Sequence, residues 1–437
     1  MLNTATATRK PLSARERHGV IAGAAGAALE SFDLSIYALL ALTLSTRFFP
    51  TNDPALSLVL TFGSYGVSFV VRPLGAAFLG SYADRHGRRA ALALALKLMG
   101  GASLVIALIP DFATIGVFAP LGILAARLVQ GFSAGGENST AITFLAEHHP
   151  NRRGEILSWV YAAAGIASLC AAGVVGIVYA IFDTQQMQAW GWRIPFLVGT
   201  LIYPVAIFIR SKTDETPDFK KVAVLKSPLK VALKQDYGRI IRAVFIVATG
   251  PVAFYLILFL PTFSTTQLGL PPSAGLAGGV AGGLGMFVSA PYVGRVCDRL
   301  GFLPLMVSSA LLLAVFAWPT FNLLIAAPHI STLLIVNFLL GVLSATYFVP
   351  SYVFGTGAFP APTRTTSVAL TYAVSQTAFG GFTPAIASTL LAVLHFKAAP
   401  SLYLIAVSLV SLAALFNFPF KVSAADPGGS VGGAKRS

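Results

Sequence analysis

The chain has 437 residues, of which 56% are hydrophobic and only 11% charged, with a formal net charge of +14 and a mean hydropathy of +0.77. Soluble domains carry roughly 25% charge, so a water-soluble globule is excluded, and with it the reading of the positive charge as a nucleic-acid surface. Two cysteines make no disulfide framework, and the spacing of metal ligands is absent.

In chain order, residues 1–18 form a basic tail with Arg9, Lys10, Arg15 and Arg17. A full-length apolar run follows, so the tail is read as a retained cytoplasmic segment rather than a cleaved signal. That first span, near 20–45, contains Glu30 and Asp33. Carboxylates inside a span are costly unless they face a cavity or a base. A second run, 56–78, contains Arg72 followed by Pro73 and ends in GSYADRHGRRA, residues 80–90. Arg72 lies roughly 12 Å from that end at 1.5 Å per residue. A third run covers 90–109, and a fourth, near 120–146, carries Arg127 and Glu137. A fifth, near 156–179, leads to Trp190, Trp192 and Arg193, an interfacial anchor. The sixth ends near Arg210.

Residues 211–238 are the longest polar segment and read as a connector containing a short amphipathic helix. Six further spans are placed near 240–260, 275–294, 302–321, 331–354, 364–390 and 399–419. Their interior holds almost no charge, but polar candidates occur at Tyr255, Asn337, Tyr347, Tyr352, Tyr372, Gln376 and Thr383. Residues 421–437 read as a disordered tail.

The segment after the second span recurs after the eighth. Gly80, Asp84, Arg85 and Gly87 are matched by Gly294, Asp298, Arg299 and Gly301. A repeated charged turn between apolar runs implies two related halves. The basic links fall on one side for an even number of spans, which places both termini in the cytoplasm.

These motifs resemble the major facilitator superfamily. Its signature loop is similar to Gly80, Asp84, Arg85, Gly87, Arg88 and Arg89, with a second copy before the ninth span. Within it, the chain resembles the metabolite:proton symporters. This rests on Glu30, Asp33 and Tyr37, on residues 61–89, on RLVQGFSAGGE from Arg127 to Glu137 with Glu147 and Arg153, and on FGGFTPAIAS at 379–388. The citrate and tricarballylate symporters look nearest, with one departure: Asn138, Ser139 and Thr140 stand where members often carry Trp-Gly-Gly or Leu-Gly-Gly.

The resemblance implies an all-α integral membrane fold of twelve helices in two pseudo-symmetric six-helix bundles, 19–210 and 239–420. It implies a monomeric transporter in a bacterial inner membrane, working by alternating access, with no cofactor and the proton gradient as its energy source. The implied partners are a small organic acid, protons and the lipid bilayer, with no nucleic acid.

Within this frame, Asp33, Glu137 and Glu30 are the candidate proton-coupling carboxylates. Arg72 and Arg127 can meet a carboxylate with a planar fork, and Tyr37, Asn337, Tyr347 and Gln376 supply uncharged substrate contacts. Asp84, Arg85, Arg88, Arg89, Asp298 and Arg299 are read as gates. A citrate-like tricarboxylate is the favoured cargo; the rivals are a symporter of another metabolite of the same group, such as a dicarboxylate, shikimate or betaine, and a proton-driven drug exporter on the same fold. No channel filter, enzyme constellation or nucleotide-binding Walker motif is visible.

Overall fold

The computed structural model describes residues 14–86, 88–135, 137–211, 228–360 and 363–418. The tails and most of the expected connector lie outside the described residues. Ahead of the connector the chain builds α1 (Ala14–Leu39), α2 (Ala41–Phe48), α3 (Pro54–Val70), α4 (Arg72–His86), α5 (Arg88–Leu108), α6 (Phe112–Ile115), α7 (Phe118–Ala134) and α8 (Glu137–His148). It continues with α9 (Arg153–Ile181), α10 (Thr184–Gln186), a π-helical turn at Met187–Gly191 and α11 (Arg193–Ser211). Beyond the connector come α12 (Pro228–Gln235), α13 (Tyr237–Val247), α14 (Thr249–Thr266), α15 (Pro272–Leu300), α16 (Phe302–Ala326), α17 (Ile330–Ala358) and α18 (Arg364–Ser375). A second π-helical turn, Gln376–Gly380, then precedes α19 (Thr383–Leu394) and α20 (Ala399–Phe416).

Among the described residues, nine helical segments are long and apolar enough to cross a membrane. Two shorter apolar helices, Ala93–Leu108 and Phe118–Ala134, occupy the places expected for the third and fourth spans. The sixth expected span falls on α11. Helices dominate because a membrane-embedded backbone must satisfy its own N–H and C=O groups.

The expected loops at the repeated motif are mostly helix. α4 continues to His86 and α15 to Leu300. Charged side chains at a helix end can reach water without costing the backbone its hydrogen bonds, so only a short break is needed. In the second copy that break is Gly301, at φ 83°, a conformation glycine adopts without a Cβ clash.

Two details position the centre. The second span is broken at Val71, between α3 and α4. Pro73 has no N–H to offer the Phe69 carbonyl four residues back. The Thr377 hydroxyl, from the π-helical turn of a distant helix, donates to that carbonyl at 2.9 Å. The second detail is the seam between α9 and α15, which pack along each other. A Cβ on Gly165 would lie 2.8 Å from the Gly283 carbonyl oxygen, and a Cβ on Gly283 equally close to that of Gly165. Only glycine permits so close an approach, as is common where membrane helices associate by packing alone.

Candidate functional site

Buried charge gathers where α1, α4 and α7 meet the π-helical turn after α18. Glu30 and Asp33 are three residues apart on α1 and share a face with Tyr37. Arg72 sits at the helix break. Its Nη2 pairs with Glu30 Oε1 at 2.6 Å, its Nη1 donates to Gln376 Oε1 at 2.8 Å, and its guanidinium lies 3.9 Å from the centre of the Phe69 ring. The Arg72 side chain is 7% exposed, so neither partner is screened as a surface pair would be.

Among the described residues Asp33 makes no such ion pair. Its Oδ2 accepts from the Tyr203 hydroxyl at 2.5 Å, from Ser103 at 2.8 Å and from Gln130 Nε2 at 3.4 Å. Arg127 lies behind Gln130, donating from Nη1 to Gln130 Oε1 at 2.7 Å. Its guanidinium rests over the Tyr37 and Tyr65 rings, 4.4 and 4.9 Å from their centres. Such stacking attracts a cation most when water is excluded. Arg127 Nε and Nη2 and Asp33 Oδ1 are buried with no hydrogen-bond partner among the described residues.

A central cavity of about 40 Å³ opens beside Glu30 and Gln376 and is walled by Tyr161, Phe254, Tyr255, Phe348 and Tyr352. A water needs roughly 10–15 Å³, so the rings must part to admit a solute of several carbons. A second void of about 10 Å³ lies between Glu30, Asp33, Arg72, Arg127 and Gln130.

Contacts between distant helices flank the cavity toward both ends. At the end bearing the repeated motif, Asp298 caps α9: the Gly154 N–H donates to Oδ1 at 2.7 Å and the Glu155 N–H to Oδ2 at 3.1 Å. A carboxylate there also meets the positive end of the helix dipole. Arg295 approaches Glu155 at 3.8 Å, and Arg364 pairs with Glu147 at 3.3 Å. At the opposite end Phe62 meets Phe259, and Tyr65 and Phe69 meet Tyr255, with ring centres 5.4–5.9 Å apart.

The structure therefore brings together Glu30, Asp33, Tyr37, Arg72, Arg127 and Gln376. It sets two other candidates apart. Asn337 is buried in α17, where Nδ2 donates to Leu333 O at 3.0 Å beside the glycines of α15. The Tyr347 hydroxyl donates to the Ile246 carbonyl. Neither lines the cavity. Arg299 is exposed. Asp84 and Arg85 fall on α4, Arg88 and Arg89 on α5, and Glu137 on α8, but their side chains lie outside the described residues.

Sequence reasoning assigned no role to Gln130, Ser103 and Tyr203, the partners of Asp33, or to Tyr161 in the cavity wall. Gln130 carried one signal: it stands three residues after Arg127, hence on the same helix face.

An all-helical membrane protein with buried charges around a central cavity, flanked toward both ends by contacts between distant helices, has the architecture of a secondary transporter. The chain belongs to the Major Facilitator Superfamily, whose model matches residues 23–321, and it is a secondary transporter rather than an enzyme. It is 34% identical over 384 residues to a citrate-proton symporter from Klebsiella pneumoniae, covering 86% of each chain. It is 30% identical over 418 residues to a proline/betaine transporter from Escherichia coli, covering 91% of this chain and 82% of that one. The crystal structure of a D-xylose-proton symporter superposes with a TM-score of 0.75 over 92% of this chain and 97% of that one, at 17% identity, a likeness of fold alone.

Proposed function

We propose that the chain is a proton-coupled symporter that imports a small organic carboxylate, with a citrate-like tricarboxylate as the first candidate. The observation that carries this reading is the Glu30–Arg72–Gln376 group at the cavity wall. A substrate carboxylate can take the Arg72 fork by replacing Glu30. The displaced Glu30 would then be a buried anion without its partner, a state relieved by taking up a proton. Asp33, already held by three donors, is the first proton-coupling candidate, with Glu137 the second and Glu30 the carboxylate exchanged on Arg72. Similarity to a citrate-proton symporter supports the substrate class.

The same reading has twelve helices in two six-helix bundles, 19–210 and 239–420, joined by 211–238. It places a monomer in a bacterial inner membrane with both termini cytoplasmic. Asp84, Arg85, Arg88 and Arg89 then form the gate of the first half, and Asp298 with Arg299 that of the second.

One observation favours a second substrate class. Five aromatic rings facing Glu30 suit a cationic head, as quaternary ammonium groups are held against aromatic faces. A betaine would put its carboxylate on Arg72 and its ammonium in the aromatic wall. Proteoliposome uptake of labelled citrate under an imposed proton gradient, competed with tricarballylate, ketoglutarate, shikimate and betaine, decides between them. Competition by tricarboxylates supports the first reading, and competition by betaine alone replaces it with the second.

A further inference from the structure

Asp33 and Arg127 are opposite charges in one buried cluster, yet they do not touch. Among the described residues no carboxylate lies within ion-pair distance of Arg127. The side chain between them is Gln130, which is 3% exposed. Its carbonyl accepts from Arg127 at 2.7 Å. Its amide nitrogen donates to Ser103 Oγ at 2.9 Å and to Asp33 Oδ2 at 3.4 Å, and Ser103 in turn donates to the same Asp33 oxygen. A primary amide accepts at one end and donates at the other, a guanidinium only donates, and an ionised carboxylate only accepts. The amide can therefore satisfy both charges in one orientation alone, with its oxygen toward Arg127.

We infer that Gln130 is a positioning residue that links the proton on Asp33 to anion binding at Arg127. With Asp33 ionised, the amide-bridged pair compensates the guanidinium. With Asp33 protonated, Arg127 becomes a buried cation without a counter-charge among the described residues, and its Nε and Nη2, unpartnered there, offer a site for a substrate carboxylate. Linkage then runs both ways: the anion favours the proton and the proton favours the anion. The groups facing Asp33 are Glu30 on α1, Arg72 on α4, Arg127 on α7 and Tyr203 on α11, with Ser103 on α5. The inference rests on the proposed symport only in naming the anion as substrate.

The test separates the two. The carboxyl band of Asp33 is followed by infrared difference titration of the full chain in lipid, and assigned by its loss in Asp33→Asn. Without any solute, Gln130→Met is expected to move the midpoint upward by about one pH unit, a tenfold change in proton affinity, because a donor and the link to Arg127 are removed. Gln130→Glu keeps the shape and is expected to move it in the same direction by like charge. Both variants are checked for folded yield, and either one, if folded, suffices. Midpoints that stay at the parent's value overturn the inference, as would a change in folded yield alone. Citrate is then added to the parent. An upward shift supports the coupling, whereas the absence of any shift with citrate or betaine counts against the symport reading and leaves the solute-free result to judge Gln130.

Discussion

Replacing Arg72 by lysine isolates what the guanidinium contributes beyond its charge. In the structure one nitrogen pairs with Glu30 at 2.6 Å, another donates to Gln376 at 2.8 Å, and the plane lies on Phe69 at 3.9 Å. A lysine ammonium keeps the charge but has no planar fork to hold all three. Two separate losses follow. In the substrate-free protein the half-buried Gln376 oxygen loses its donor, at a cost of about 1 kcal/mol, which should appear as a lower melting temperature. In the bound state one of two parallel hydrogen bonds to the substrate carboxylate is lost. We expect a weakening of roughly tenfold, equivalent to about 1.4 kcal/mol. Equilibrium binding of a labelled carboxylate to purified parent and Arg72→Lys protein measures the second loss, and thermal unfolding measures the first. A variant that melts lower but binds with the parent's Kd would refute substrate contact and leave Arg72 a structural partner of Glu30.

Three other outcomes are expected. Asp33→Asn should abolish proton-driven accumulation while leaving exchange of preloaded substrate, because the amide cannot release a proton; substrate-induced proton flux persisting in the variant would remove Asp33 and move the same assay to Glu137. Asp298→Asn leaves one acceptor for the two N–H donors of Gly154 and Glu155 and removes the charge at the head of α9, so hydrogen exchange at those amides should quicken at least severalfold, and unchanged protection would exclude a latch there. Asp111 lies between α5 and α6, where the Thr114 hydroxyl and then Arg47 hold its carboxyl below the ordinary value of 3.8. A depressed carboxylate stabilises the fold above its unfolded value and loses that contribution as the pH falls through the folded one, so Asp111→Asn should melt below the parent at neutral pH and converge with it in acid; a gap independent of pH would rule out the charge as its cause.

The membrane class and the central charges were legible because a charge in an apolar run is too costly to be incidental. Glu30, Asp33, Arg72 and Arg127 announced themselves in this way, and the structure gathers them. Their uncharged partners were not legible: a serine, a glutamine or a tyrosine in a span costs little, so Ser103, Gln130 and Tyr203 look ordinary until the helices are packed. Asn337 and Tyr347 drew attention in the same way, but each spends a hydrogen bond within its own half, away from the cavity. The repeated motif read as loop because glycine and charge usually mark one. In the second copy helix persists to Leu300 because a charged side chain such as Arg299 can reach water while the backbone stays bonded.

The break at Pro73 has a consequence for solvent. The Phe69 carbonyl accepts from the Val71 N–H beside it and, across the helices, from Thr377. Any separation of these helices frees the lone pair that Thr377 held, and water is the donor that can fill it. Parting at this end is therefore a hydration reaction, with water as a stoichiometric participant. Osmotic pressure applied with a solute too large to enter should slow it, whichever metabolite the protein carries.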